Sequence, residues 1–88
     1  MINPDEPSGA RLTLKTQVGD NVATLLDDRL YCTLIAGGVS VDQGIPFGHK
    51  VALAPIAAGE PVIKYGVAIG QAKTGIRKGE HVHVHNIE

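Results

Sequence analysis

The sequence has no tryptophan, one phenylalanine and two tyrosines. So few rings leave no stacking platform for single-stranded nucleic acid, and the basic residues are scattered rather than gathered into a stripe. Nucleic-acid binding is therefore not expected. The single cysteine, Cys32, excludes an internal disulfide. It fits a reducing compartment, and a cytoplasmic location is expected. In its apolar setting Cys32 reads as a small core residue rather than a nucleophile. No run approaches the ~20 apolar residues that cross a bilayer, so no membrane partner is expected. The polar, acidic, proline-containing start has neither the basic nor the apolar region of a secretory signal. No nucleophile–base triad, phosphate-binding loop or cysteine-rich zinc pattern is present.

What is present is aliphatic and full of turns. The apolar residues are nearly all Val, Ile, Leu and Ala, with eleven glycines and five prolines among 88 residues. Such a composition fits short strands joined by glycine turns better than a helical bundle, and the length fits one domain with a modest core. Residues 1–10 read as a flexible N-terminal tail and 11–88 as the domain. Alternation and turn residues predict strands over 11–16, 22–26, 29–35, 50–54 and 61–65, and a short buried strand over 66–70. Residues 71–75 read as a loop or a single helical turn. The second half repeats itself: Ile56-Ala-Ala-Gly-Glu60 before Pro-Val-Ile-Lys-Tyr65 returns as Ile76-Arg-Lys-Gly-Glu80 before His-Val-His-Val-His85. Each copy reads as an anchoring Ile, a tight glycine turn, then a strand.

The last strand carries the most chemistry. His81, His83 and His85 alternate with Val82 and Val84, so an extended chain puts the imidazoles on one face and the valines on the other. Imidazole serves as a metal ligand and as an acid–base group near neutral pH. Neighbours at i and i+2 lie ~7 Å apart, so a regular strand brings at most two of the three onto one ion, and other ligands must come from elsewhere. The alternative at this level is a solvated polar face. Gly48-His-Lys50 offers a close backbone approach, a donor/acceptor and a cation. Lys64-Tyr-Gly66 ends an apolar run. Alone, each of these tripeptides reads as an ordinary turn or strand end.

Taken in order, Gly48-His-Lys50, Ile56-x-x-Gly-Glu60, Val62-Ile-Lys-Tyr-Gly66, Ile69-Gly70, Ile76-x-x-Gly-Glu80 and His81-Val-His-Val-His-Asn86 resemble the small N-terminal module of the altronate/galactarate dehydratase family. Asp20-Asn-Val-Ala-Thr24 is similar to that family's early segment. The resemblance runs from Leu12 to Glu88 and implies a mostly β, SAF-type β-clip fold. It implies part of a hydro-lyase that dehydrates a sugar acid of the altronate or galactarate type. In that family a larger subunit or domain supplies most of the machinery, with a shared divalent metal, iron or manganese. A related small subunit belongs to a sulfolactate sulfo-lyase, which eliminates sulfite. By motif match, His83 and His85 are expected to be catalytic. His81, His83 and His85 are expected to face a metal, at most two on one ion, and His49, Lys50, Lys64, Tyr65 and Asn86 to line the substrate pocket. The expected partners are the large dehydratase subunit or domain and the sugar acid. The chain alone is not expected to be active, and its glycine-rich edges can self-associate in isolation. The alternatives are a non-catalytic SAF module that binds carbohydrate or docks a partner, or the small subunit of a sulfolactate sulfo-lyase.

Overall fold

The structure, a computed structural model, describes residues 10–14 and 16–88. The expected tail lies outside them except for Ala10, which is buried and opens the first strand. Eight short strands follow one another: β1 (Ala10–Arg11), β2 (Val22–Thr24), β3 (Leu34–Ile35), β4 (Val39–Ser40), β5 (Lys50–Ala52), β6 (Pro61–Lys64), β7 (Val67–Gln71) and β8 (His81–Val82). They form three small sheets, β1-β3-β4, β2-β5-β8 and β6-β7, with no helix among the described residues. This all-β arrangement is consistent with a SAF β-clip. No helix is long and apolar enough to cross a membrane.

The sequence repeat is a structural one. Ile56 and Ile76 pair antiparallel and exchange both backbone bonds, at 2.9 and 2.7 Å. After each, Gly59 and Gly79 turn the chain with φ of 85°, a conformation L-residues rarely adopt. The following glutamates close the turns alike: Glu60 accepts from Ala57 N and Glu80 from Arg77 N, through side-chain oxygens at 2.7 and 2.9 Å. The halves then trade strands. β5 pairs with β8, placing Val51 opposite His81, while β7 pairs with β6, placing Gln71 opposite Pro61. Ala52, Ile56 and Val62 and their counterparts Ala72, Ile76 and Val82 meet, with Val22, in one core cluster, each 3% exposed or less. A second cluster gathers Ala23, Leu25, Ile35, Val41, Ile45 and Val51 under the first half.

Four elements depart from the sequence reading. Of the strand expected over 11–16 only Ala10–Arg11 forms, with Thr13 bridging Leu25 alone and Lys15 outside the described residues. The strand expected over 29–35 shrinks to β3 because the carboxylate of Asp27 gathers Arg11, Arg29 and the Leu12 amide, leaving a turn at 30–31. The strand expected to be buried at 66–70 is exposed: Val67 is 61% and Ile69 42% accessible. The last strand ends at Val82 rather than His85, since residues 83–86 form a turn. Cys32 is buried, as a core residue should be.

Candidate metal and substrate site

The pairing of β5 with β8 builds the site. Gly48, with φ of 83°, turns the chain into β5, and His49 is fixed by its backbone: its N–H donates to Pro46 O at 3.1 Å and its carbonyl accepts from Leu25 N at 2.9 Å. Across the sheet, His81 sits opposite Val51. Beyond Val82 the chain bends, and Asn86 dictates how. Its Nδ2 donates to His81 O at 2.8 Å, its Oδ1 accepts from His83 N at 2.9 Å, and its own N–H donates to His83 O at 3.0 Å. Asparagine side chains compete with strand pairing in this way. The fold-back swings His83 over His49.

Three rings stack. The centroids of His49 and His83 lie 3.7 Å apart, those of His49 and His81 5.0 Å, and those of His81 and His83 5.9 Å. His49 Nδ1 and His81 Nε2 are 2.8 Å apart, so one ring donates a proton and the other accepts. One nitrogen from each of His49, His81 and His83 falls within 4.8 Å of the other two. Tetrahedral binding at ~2.1 Å places such nitrogens ~3.4 Å apart, so small ring rotations bring all three onto one ion. Burial, then the neighbouring His85, His49 and His83, push the His81 pKa down, against a smaller opposing pull from Asp42. Burial, then His49, Lys50 and His85, do the same to His83. Both rings are thus biased toward the neutral form, whose lone pairs bind metal. The histidines therefore form a triad that could bind a metal ion.

The remaining expected residues fall into three positions. His85 lies on the exposed side of the turn, its ring 4.9 Å from that of His81. Lys50 opens β5, directly opposite both Thr24 and Val82. Burial and then the charge of Lys64 lower its pKa, and among the described residues neither lysine has a carboxylate within salt-bridge distance. Lys64 ends β6, its Nζ 5.7 Å from the Tyr65 ring centroid. Tyr65 occupies the hairpin tip with φ of 53°, a strained value held by Asp20, whose carboxylate accepts from Tyr65 N and Gly66 N at 3.0 and 2.9 Å. Asn86 differs from the rest. It is 3% exposed and both ends of its amide hold the backbone, at His83 N and His81 O. Sequence spacing alone did not reveal that His49 joins the imidazole cluster, because only strand pairing brings it there. Nor did it reveal Asp42, which is felt by His81 and ion-paired to Arg77 at 3.1 Å.

The family model of the altronate/galactarate dehydratase SAF domain matches residues 11–88. The chain belongs to this SAF family. The alpha subunit of (2R)-sulfolactate sulfo-lyase from Chromohalobacter salexigens is 54% identical over 48 residues, which make up 54% of this chain and 51% of that subunit. Altronate dehydratase of Escherichia coli is 43% identical over 76 residues, covering 83% of this chain but 15% of that protein. Altronate dehydratase of Bacillus subtilis is 41% identical over 80 residues, again 83% and 15%. The SAF chain thus spans about half the length of the sulfo-lyase subunit it matches and a small part of the dehydratases.

Proposed function

We propose that this SAF module is the small component of a lyase that eliminates a leaving group from a 2-hydroxy acid, of the sulfolactate sulfo-lyase type, in company with a larger catalytic polypeptide. The observation that carries the reading is the convergence of His49, His81 and His83, with the Lys50 charge felt at His83 and the Lys64 charge felt at Lys50. Its choice of leaving group is supported by the 54% identity to a sulfo-lyase alpha subunit. A cytoplasmic location accords with it.

The chemistry follows from the residues. Elimination needs a base for the proton beside the carboxylate and a counter-charge for the electrons it leaves behind. The carboxylate and the sulfonate are anions, and Lys50 and Lys64 are cations with no carboxylate within salt-bridge distance among the described residues. Tyr65, beside Lys64, offers a hydroxyl to the substrate. His85, exposed at the rim, takes the proton. His49, His81 and His83 would hold a divalent ion, iron or manganese, shared with the larger polypeptide, and that ion would supply stabilisation of negative charge on the deprotonated acid. A sulfonate then leaves as sulfite from the adjacent carbon, or a hydroxyl leaves as water on taking back the proton that His85 holds. The match to altronate dehydratase over 83% of the chain supports a second reading, in which the substrate is a sugar acid and the leaving group water.

The test is reconstitution with the large polypeptide, followed by assays of sulfite release from (2R)-sulfolactate and of altronate and galactarate dehydration. Sulfite release is expected, and alanine at His83, His85 or Lys50 should lower kcat/KM by roughly 100-fold or more. Near-normal turnover in all three variants removes the site assignment. Turnover confined to the sugar acids selects the second reading.

A further inference from the structure

The internal two-fold extends beyond the glycine corners. Val22 pairs with Ala52 and Ala23 with Val51; in the other half Ile87 pairs with Ala72, and Glu88 exchanges both backbone bonds with Gln71, at 2.9 and 3.0 Å. Leu53 N donates to Asn21 O and Lys73 N to Asn86 O, both at 2.8 Å. Residues 21–23 on β5 and 86–88 on β7 are thus the same strand twice. In the first half that strand continues: Thr24 pairs with Lys50, Leu25 N donates to His49 O, and the fully buried Leu25 fills the second core cluster.

In the second half the equivalent stretch of β7 is uncovered by any described residue. Val67 and Ile69 are exposed, and a groove of about 610 Å3 opens there, lined by Gly59, Pro61, Ala68, Gly70, Gln71 and Glu88. Gly59 stands open in it, with nothing within 4 Å of an added Cβ. Its counterpart Gly79 is buried beneath the Ser40 carbonyl and gives its own carbonyl to Asp42 N at 2.9 Å. One half of the molecule is roofed and the other is not.

We propose that this groove seats an added antiparallel strand from the larger catalytic polypeptide, with an aliphatic side chain where Leu25 sits in the other half. The molecule itself displays the form of the occupant, because residues 24–25, continuing from 21–23, fill the two-fold equivalent of the site as an antiparallel strand with a buried leucine. Ala68 leaves the edge free of bulk beyond Gly70, where the Glu88 carbonyl already closes in, and main-chain pairing with a strand edge is a general mode of recognition. A source is at hand in the longer relatives, where the matched stretch is 15% of altronate dehydratase. The groove shares no lining residue with the imidazole cluster. The proposal rests on the lyase reading in naming the larger polypeptide as partner.

The test is hydrogen exchange on the chain with and without the large polypeptide, together with Ile69→Lys, whose side chain is already exposed. Protection should appear at residues 67–70 on complex formation. Ile69→Lys should raise Kd at least tenfold while melting temperature and metal uptake stay unchanged. A complex in which 67–70 exchange freely and Ile69→Lys binds like the parent overturns the strand proposal and leaves the lyase reading intact. Absence of any complex with the parent chain overturns both. A homodimer by light scattering with 67–70 protected makes the occupant a second copy and overturns the choice made here.

Discussion

Asn86 shows how one side chain sets what its neighbours can do. Alternation alone carries the extended chain through His85, and an extended chain cannot bring His83 onto His49. The Asn86 amide captures the His83 amide and the His81 carbonyl instead, and the rings stack. Asn21 does the same on the other half, its amide bridging Pro61 O and Ile63 N at 2.9 and 2.7 Å, but no histidine lies there. Asn86→Ala should therefore cost about 2 kcal/mol, two lost hydrogen bonds with partners left buried, and weaken manganese or cobalt binding at the triad at least tenfold. Asn21→Ala should lower stability and leave metal affinity alone. Urea unfolding and calorimetric metal titration of the two variants check this pair of outcomes. The imidazoles were legible in the sequence because they stand out by type and spacing. Their third member was not, since His49 and His81 meet only through the register of β5 on β8.

At the scale of elements, the repeated corners were the best-read feature, since each is a local device: an Ile, a glycine turn, a glutamate that closes it. Strand lengths were read less well. Residues 29–35 have β-favouring side chains, but the Asp27 network overrides that preference. β7 is apolar yet exposed, because burial depends on what covers an edge and not on the strand's composition. The corners also differ in a way the sequence hides. An alanine at Gly59 meets open space and suffers only the positive φ, while at Gly79 it also collides with the Ser40 backbone. Gly59→Ala should cost about 1–2 kcal/mol; Gly79→Ala should cost clearly more and loosen the β4 region. Denaturant midpoints and exchange rates at residues 39–42 distinguish the two.

For the whole molecule, the first sheet is tied down by charge. Arg11 is 1% exposed and donates to Asp27 Oδ1 at 2.8 Å and to the Ile45 and Asp27 carbonyls, while Arg29 reaches the other Asp27 oxygen at 2.9 Å and the Ala10 carbonyl. Burial opposes ionisation of Asp27, but the Leu12 amide and the two guanidinium groups overcome it and hold the carboxyl well below the usual carboxylate range. A group depressed on folding contributes stability that is fully present above its unfolded pKa of about 3.9 and is lost as pH falls toward the folded value. The urea midpoint should therefore fall between pH 5 and pH 2. In Asp27→Asn it should start lower, because Arg11 remains buried, and fall less over the same interval. The exchange of strands between the halves has one more consequence. Neither half owns a complete sheet, since β5 needs β8 and β6 needs β7, so neither should persist as a separate folded piece. Two chains could make by swapping the same contacts that one chain makes alone.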